Sequence, residues 1–235
     1  MMANTLERAE SITRPLSILD LGLIHYPECW ALQKQLAAER AQGLIGDTLL
    51  LLEHPHTYTC GRSGGRDHIL ISETELQAHG IVVLDVDRGG DVTYHGPGQL
   101  VAYPILQLAG EGRTADFRAY LRSLEQALIN TLADFAINSR RYPGYSGVWV
   151  GDEGAEEKLA AVGVKVDGRG VTTHGVALNV NTDLQFFGYI VPCGIIEKGV
   201  TSMQRLVEQP VGMDEVKEAL IRAFRGVFGF DTPLL

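Results

Sequence analysis

The sequence predicts an α/β domain, on three observations. Residues 47–54, DTLLLLEH, form an unbroken apolar run of strand length, the pattern of a strand covered on both faces. Apolar residues recur every three or four positions over residues 114–137 and 214–228, the period of an amphipathic helix. Strand-like runs are also paired across turn-rich stretches, 81–87 with 99–106 and 158–166 with 170–181.

Taken in order, residues 1–14 are polar and are expected to be a flexible N-terminal segment, leaving 15–235 as a single domain. A first strand is expected over 16–24. Pro27 suits the first turn of a helix that runs to Gln42, presents Trp30, Leu32, Leu36 and Ala37 at helical spacing, and stops at Gly43. The run 47–54 follows as an interior strand. Ser72 and Glu75 form a capping-box pattern opening a short helix that ends near Gly80. Residues 81–87 read as a core strand entering a Gly-rich loop, and 99–106 as the core strand leaving it. The helix over 114–137 turns Phe117, Leu121, Leu124, Leu128, Leu132 and Phe135 inward. Strand-like runs at 147–150, 158–166 and 170–181 make a meander, 186–195 is expected to be an apolar strand ending in a Pro-Cys-Gly turn, and a helix over 214–228 closes the chain.

An apolar share of 45% and a charged share of 21% over 235 residues allow a full core without disulfide or metal staples. Cys29, Cys60 and Cys193 are too few and too scattered for a disulfide framework, which fits a reducing compartment. The N-terminus lacks a signal-peptide apolar core, and no run reaches the roughly eighteen apolar residues of a membrane span. A cytoplasmic protein with no membrane partner is expected. The net charge of −9 argues against nucleic-acid binding through a broad basic surface.

Phosphate-loop, HExxH and GxGxxG patterns are absent from the chain, and GYSGV (144–148) lacks the second glycine of the GxSxG elbow. His54, His56 and Cys60 lie close together, but the first two flank a proline and no second pair follows at finger-like spacing, so no metal is expected. The stretch RGGDVTYHGPGQLVAYPI (88–105) is different in kind. Glycines that permit close backbone approach alternate there with hydrogen-bonding Arg88, Asp91, Thr93, Tyr94, His95 and Gln99. Cys193, between Pro192 and Gly194, is a candidate nucleophile on a rigid turn. Its activating partner is open from spacing alone: His95, His174 and Lys158 all qualify.

Three ordered blocks, RGGDVTYHGPGQLVAYPI, then KLAAVGVKV with THGVALNVN, then PCGI, resemble the octanoyltransferases of lipoate biosynthesis over about residues 16–228. The resemblance implies a biotin/lipoate protein ligase-like catalytic domain, a mixed, largely antiparallel sheet flanked by helices. It also implies transfer of an octanoyl or lipoyl group from the phosphopantetheine of acyl carrier protein to a lysine of a lipoyl domain, in 2-oxoacid dehydrogenase complexes or the glycine cleavage H protein, with no further cofactor. Carried over residue by residue, Cys193 is the acyl-thioester cysteine and Lys158 its activating lysine. Substrate contacts fall on Arg88, Gly89, Gly90, Asp91, Val92, Thr93, Tyr94 and His95, on Ala161, Val162 and Gly163, and on Gly175, Val176 and Ala177. His95 or His174 could share the role of base. An acidic carrier also calls for a local basic surface, for which Arg62, Arg66, Arg140 and Arg141 are candidates. The alternatives are an ATP-dependent ligase of the same fold, which would not need Cys193, and a noncatalytic carrier-binding module.

Overall fold

The computed structural model describes residues 14–108, 116–191 and 198–231. In chain order the elements are β1 (Leu16–Leu23), α1 (Tyr26–Ala41), β2 (Asp47–Glu53), β3 (Thr57–Cys60), α2 (Glu73–Ala78), β4 (Val82–Asp85), β5 (Val92–His95) and β6 (Gln99–Ile105). They continue with α3 (Phe117–Ala133), β7 (Arg140–Tyr142), β8 (Tyr145–Val150), β9 (Glu157–Val166), β10 (Thr172–Asn179), β11 (Gly199–Val200), α4 (Met203–Val207) and α5 (Met213–Phe228).

The large sheet has the order β1-β2-β6-β10-β9-β8-β7, with β11 lying along β9. The β1–β2 and β9–β11 pairs are parallel, and the ladders from β2 through β6, β10, β9 and β8 to β7 are antiparallel. This is the mixed, largely antiparallel sheet expected. Its unbroken apolar strands are explained by what covers each face. On β2, Leu49 and Leu51 join α3 and α5 in one core, while Leu50 and Leu52 face α1 in another. β6 divides likewise, with Leu100 and Ala102 on the first face and Val101 and Tyr103 on the second. The four leucines of β2 are at most 1% exposed, so each contributes about 2 kcal/mol of burial.

Helix ends follow the expected chemistry. The Ser72–Glu75 capping box is formed, Asp116 caps α3 by accepting from the Ala119 amide, and Gly229 ends α5 at φ 68°. The helix expected over 114–137 runs Phe117–Ala133, and residues 114 and 115 lie outside the described residues. Residues 1–13 of the expected flexible segment also lie outside them. Arg14, the last of that segment, is anchored to the Phe228 carbonyl at 2.7 Å and to Asp47 at 3.0 Å.

Three expectations are corrected. The Gly-rich stretch is not one loop between two core strands. It contains β5, which pairs with β3 and β4 in a separate three-stranded sheet of order β4-β3-β5, and β4 is largely exposed. The described part of the run expected to be apolar strand, 186–191, falls mainly in a 3-10 turn (Leu184–Tyr189), with Phe186 stacked on Tyr94 at 5.1 Å. On α1 the buried stripe is Tyr26, Cys29, Gln33 and Ala37, with Trp30, Leu32 and Leu36 only partly covered. A fully buried glutamine replaced the leucines in that stripe, for a reason that lies in the site.

Candidate active site

Strand register gathers the site. Across β9 and β10, Ala161 pairs with Ala177, Val162 with Val176 and Gly163 with Gly175, so two sequence blocks a dozen residues apart are direct neighbours. The Gly-rich stretch is stitched to the same seam, because the Gly89 amide donates to the Val164 carbonyl at 3.0 Å. These three segments and Lys158 line one pocket of about 540 Å³, part of it open to solvent. Every expected substrate contact lines it except Asp91, Val92 and Tyr94. Strand alternation explains two of the exceptions: on β5, Thr93 and His95 face the pocket, while Val92 and Tyr94 point into the core of the small sheet. Asp91 turns its carboxylate onto the Val92 amide, at 2.6 Å.

Two glycines are close-packed, and of these Gly175 is required by space. A Cβ on Gly163 would come within 3.1 Å of Arg88 Cδ and 3.2 Å of the Gly89 carbonyl, closing the approach of the loop to β9. A Cβ on Gly175 would run into the Ala102 carbonyl of β6. Arg88 is 7% exposed and donates to the Thr59 carbonyl at 2.6 Å, to Thr59 Oγ1 at 2.8 Å and to the Gly89 carbonyl at 3.0 Å. It therefore clamps the glycine turn to β3.

Behind the pocket lies a buried histidine and tyrosine network whose proton directions follow from its fixed members. Gln99 Nε2 donates to the Tyr94 carbonyl and to Asn179 Oδ1, which aims Gln99 Oε1 at His95 Nδ1, 2.8 Å away. Nδ1 of His95 therefore carries the proton, and Nε2 faces the Thr59 hydroxyl at 3.4 Å. Burial, with His54 and Arg88 nearby, pushes the His95 pKa well below its usual value. His54 donates from Nδ1 to the Ile24 carbonyl at 2.7 Å and accepts the Tyr103 hydroxyl at 2.9 Å, and burial lowers its pKa to about 4.

His174 has φ 57°, a left-handed conformation that costs a non-glycine residue of order 1 kcal/mol and that is held here by its surroundings. Its amide donates to Gln33 Oε1 at 2.7 Å, which is why a glutamine is buried on α1. Its Nε2 donates to Asp87 at 2.7 Å, and its Nδ1 faces the Tyr26 hydroxyl at 3.2 Å. Burial lowers the His174 pKa despite Asp87, and although burial opposes its ionisation, Asp87 is held at about 2 by bonds from Lys165 and His174. Both nitrogens of His95 and of His174 are thus committed to neighbours.

Lys158 sits on β9 opposite Trp149 of β8, with its ammonium 4.7 Å from the Trp149 ring centroid. On its other side β11 pairs Val200 with Lys158, and the Thr201 amide donates to the Lys158 carbonyl at 3.0 Å. Cys193, with the rest of PCGI, lies outside the described residues. Its described flanks are tied down: the Val191 amide donates to the His68 carbonyl, and β11 follows at Gly199.

Sequence reasoning missed Tyr26, Tyr103 and Ser146, which also line the pocket. The two tyrosines sit in apolar segments and read as core, and only the buried Gln33 in α1 signalled that this helix serves something other than packing. Of the candidate docking arginines, Arg66 pairs with Asp85 at 3.2 Å, Arg140 donates to the Gly151 carbonyl at 2.6 Å, and Arg141 pairs with Glu125 at 3.0 Å. No group of three or more His, Cys, Asp or Glu among the described residues could hold a metal ion, and no helix among them is long and apolar enough to cross a membrane.

The family model for the lipoyl protein ligase A/B catalytic domain matches residues 25–225. An octanoyltransferase of Chloroflexus aurantiacus is 49% identical over 93% of this chain and 96% of its own length, and one of Solibacter usitatus is 50% identical over 93% and 95%. Among solved structures, a bipartite lipoate protein ligase of Thermoplasma acidophilum aligns with a TM-score of 0.71 at 19% identity, over 93% of this chain and 86% of that one. A lipoate-protein ligase A bound with ATP aligns at 0.68 and 19% identity, over 94% and 88%. These two likenesses concern the fold.

Proposed function

The chain belongs to the lipoyl protein ligase A/B catalytic domain family, and from that premise we propose that it is an octanoyltransferase moving an octanoyl or lipoyl group from acyl carrier protein to a lysine of a lipoyl domain. The supporting observation is the β9–β10 register, which sets Lys158, the 161–163 and 175–177 blocks and the Arg88–Gly90 turn around a single, mostly apolar pocket. Such a slot suits an aliphatic chain, at about 0.8 kcal/mol per CH₂ buried.

In the proposed reaction Cys193 is the nucleophile. Lys158 takes its proton, the thiolate adds to the donor thioester, and the tetrahedral oxyanion collapses as Lys158 returns the proton to the carrier's sulfur, which leaves as a thiol and gives an acyl-enzyme thioester. A thioester is exchanged for a thioester, so this half is nearly balanced. The amine of the acceptor lysine then attacks the acyl-enzyme and loses its proton to Lys158, and the C–S bond breaks to leave an amide and the Cys193 sulfur, which Lys158 reprotonates. That half runs downhill and needs no ATP. Neither His95 nor His174 is assigned as base, because each has both ring nitrogens engaged and a lowered pKa. Their task is to fix the pocket wall behind Thr59 and Tyr26.

The test is a transfer assay with octanoylated acyl carrier protein and a lipoyl domain, read as a mass increase of the acceptor, without ATP. The proposal expects octanoyl-lipoyl domain from the wild type and none from Cys193→Ala. Transfer that requires ATP and survives Cys193→Ala would instead indicate a ligase.

A further inference from the structure

Beside the pocket lies a second, open groove between the N-terminal half of α3 and the β7–β8 hairpin, and the two share Ser146 as a boundary residue. Three arginines line the groove, Arg118, Arg122 and Arg141, against one acid, Glu125. That acid is spent inward: Glu125 is 7% exposed, accepts from the Gly147 amide at 3.0 Å and pairs with Arg141. Arg118 and Arg122 are exposed, one turn apart on α3, where the guanidinium groups face the same side. Tyr145, which lines the groove, is 42% exposed, and Phe117, next to Arg118 in the chain, is 43% exposed. With Arg141 paired to Glu125, Arg118 and Arg122 leave the groove two exposed positive charges beside the reaction pocket, in a chain of net charge −9.

Resting on the transfer reaction proposed above, we infer that this groove docks the acyl donor, an acidic carrier protein whose acyl group travels on a long thioester arm. Charge complementarity selects an acidic partner. The groove's position selects the donor over the acceptor. A carrier presents its acyl group at the end of a flexible arm, so its body rests beside the pocket and the arm enters past Ser146. An acceptor lysine has only its own side chain to extend, so its domain has to sit over the mouth. The exposed aromatics supply the apolar anchors that rim charges alone lack. The surface differs from the one suggested by sequence. Of the four arginines considered there, Arg141 alone lines the groove, and α3 supplies the exposed pair.

The test compares wild type with Arg118→Glu/Arg122→Glu by titration calorimetry against octanoylated acyl carrier protein and, separately, against a lipoyl domain. The inference expects carrier affinity to fall about tenfold or more, its salt dependence to flatten, and lipoyl-domain affinity to stay unchanged. Turnover of a carrier-free octanoyl thioester, which does not use the groove, should be the same in both proteins. Unchanged carrier affinity in the folded variant overturns the inference, and so does weakened lipoyl-domain binding with carrier binding intact. Should the wild type transfer nothing from either donor, the proposed reaction fails while the binding comparison still decides the groove.

Discussion

Lowering the pH from 7.5 to 4.5 should destabilise this protein well before its carboxylates are protonated, because His54, His95 and His174 are buried as neutral rings. For His54 the folded pKa is about 4 against a usual 6.5. Below pH 6.5 the unfolded chain takes up a proton that the folded chain refuses until about pH 4. The stabilisation is therefore complete above pH 6.5 and is lost as pH falls through that window. At about 1.4 kcal/mol per unit, His54 alone costs roughly 3 kcal/mol by pH 4. His95 and His174 shift in the same direction and add to it. Against a typical stability of about 5–15 kcal/mol this is a large share. Urea unfolding at half-unit pH steps measures the slope, and imidazole NMR titration assigns it. A free energy of unfolding flat between pH 7 and 4.5, or a His54 resonance that titrates near 6.5 in the folded protein, would refute the reasoning.

Three further outcomes follow from the site. Gly175→Ala drives a methyl group into the Ala102 carbonyl of the neighbouring strand and should cost about 3 kcal/mol, seen as a lower urea midpoint. Lys158→Ala should slow acylation and raise the pKa of the Cys193 thiol, read from the pH dependence of alkylation; an unchanged profile counts against the dyad. Shortening the acyl chain by two carbons should weaken binding by about 1.6 kcal/mol, or some 15-fold, when hexanoyl and octanoyl thioesters are compared.

The elements legible in the sequence were those whose two faces have simple surroundings. β2 and β6 are buried on both sides and read as continuous apolar runs, while α3 and α5 each cover one sheet face and show the helical period. The Ser72–Glu75 box was legible because it is local. β5 was hidden because it is only four residues long, flanked by glycines, and carries polar pocket residues on one face. α1 misled because its inward stripe holds Tyr26 and Gln33, chosen to bind His174 and not to be apolar. The pocket blocks 161–163 and 175–177 were found through the motif, but their meeting depends on the β9–β10 register. The strained backbone of His174 left no trace in its residue type.

The central claim is a covalent octanoyl-enzyme on Cys193, and intact-mass measurement tests it most directly. The purified protein is mixed with octanoylated acyl carrier protein in the absence of ATP and of any lipoyl domain. The account predicts one hydroxylamine-labile octanoyl adduct on the wild type and none labile on Cys193→Ser. A folded wild-type enzyme that remains unmodified while the donor stays intact, or an equally labile adduct on Cys193→Ser, would contradict it.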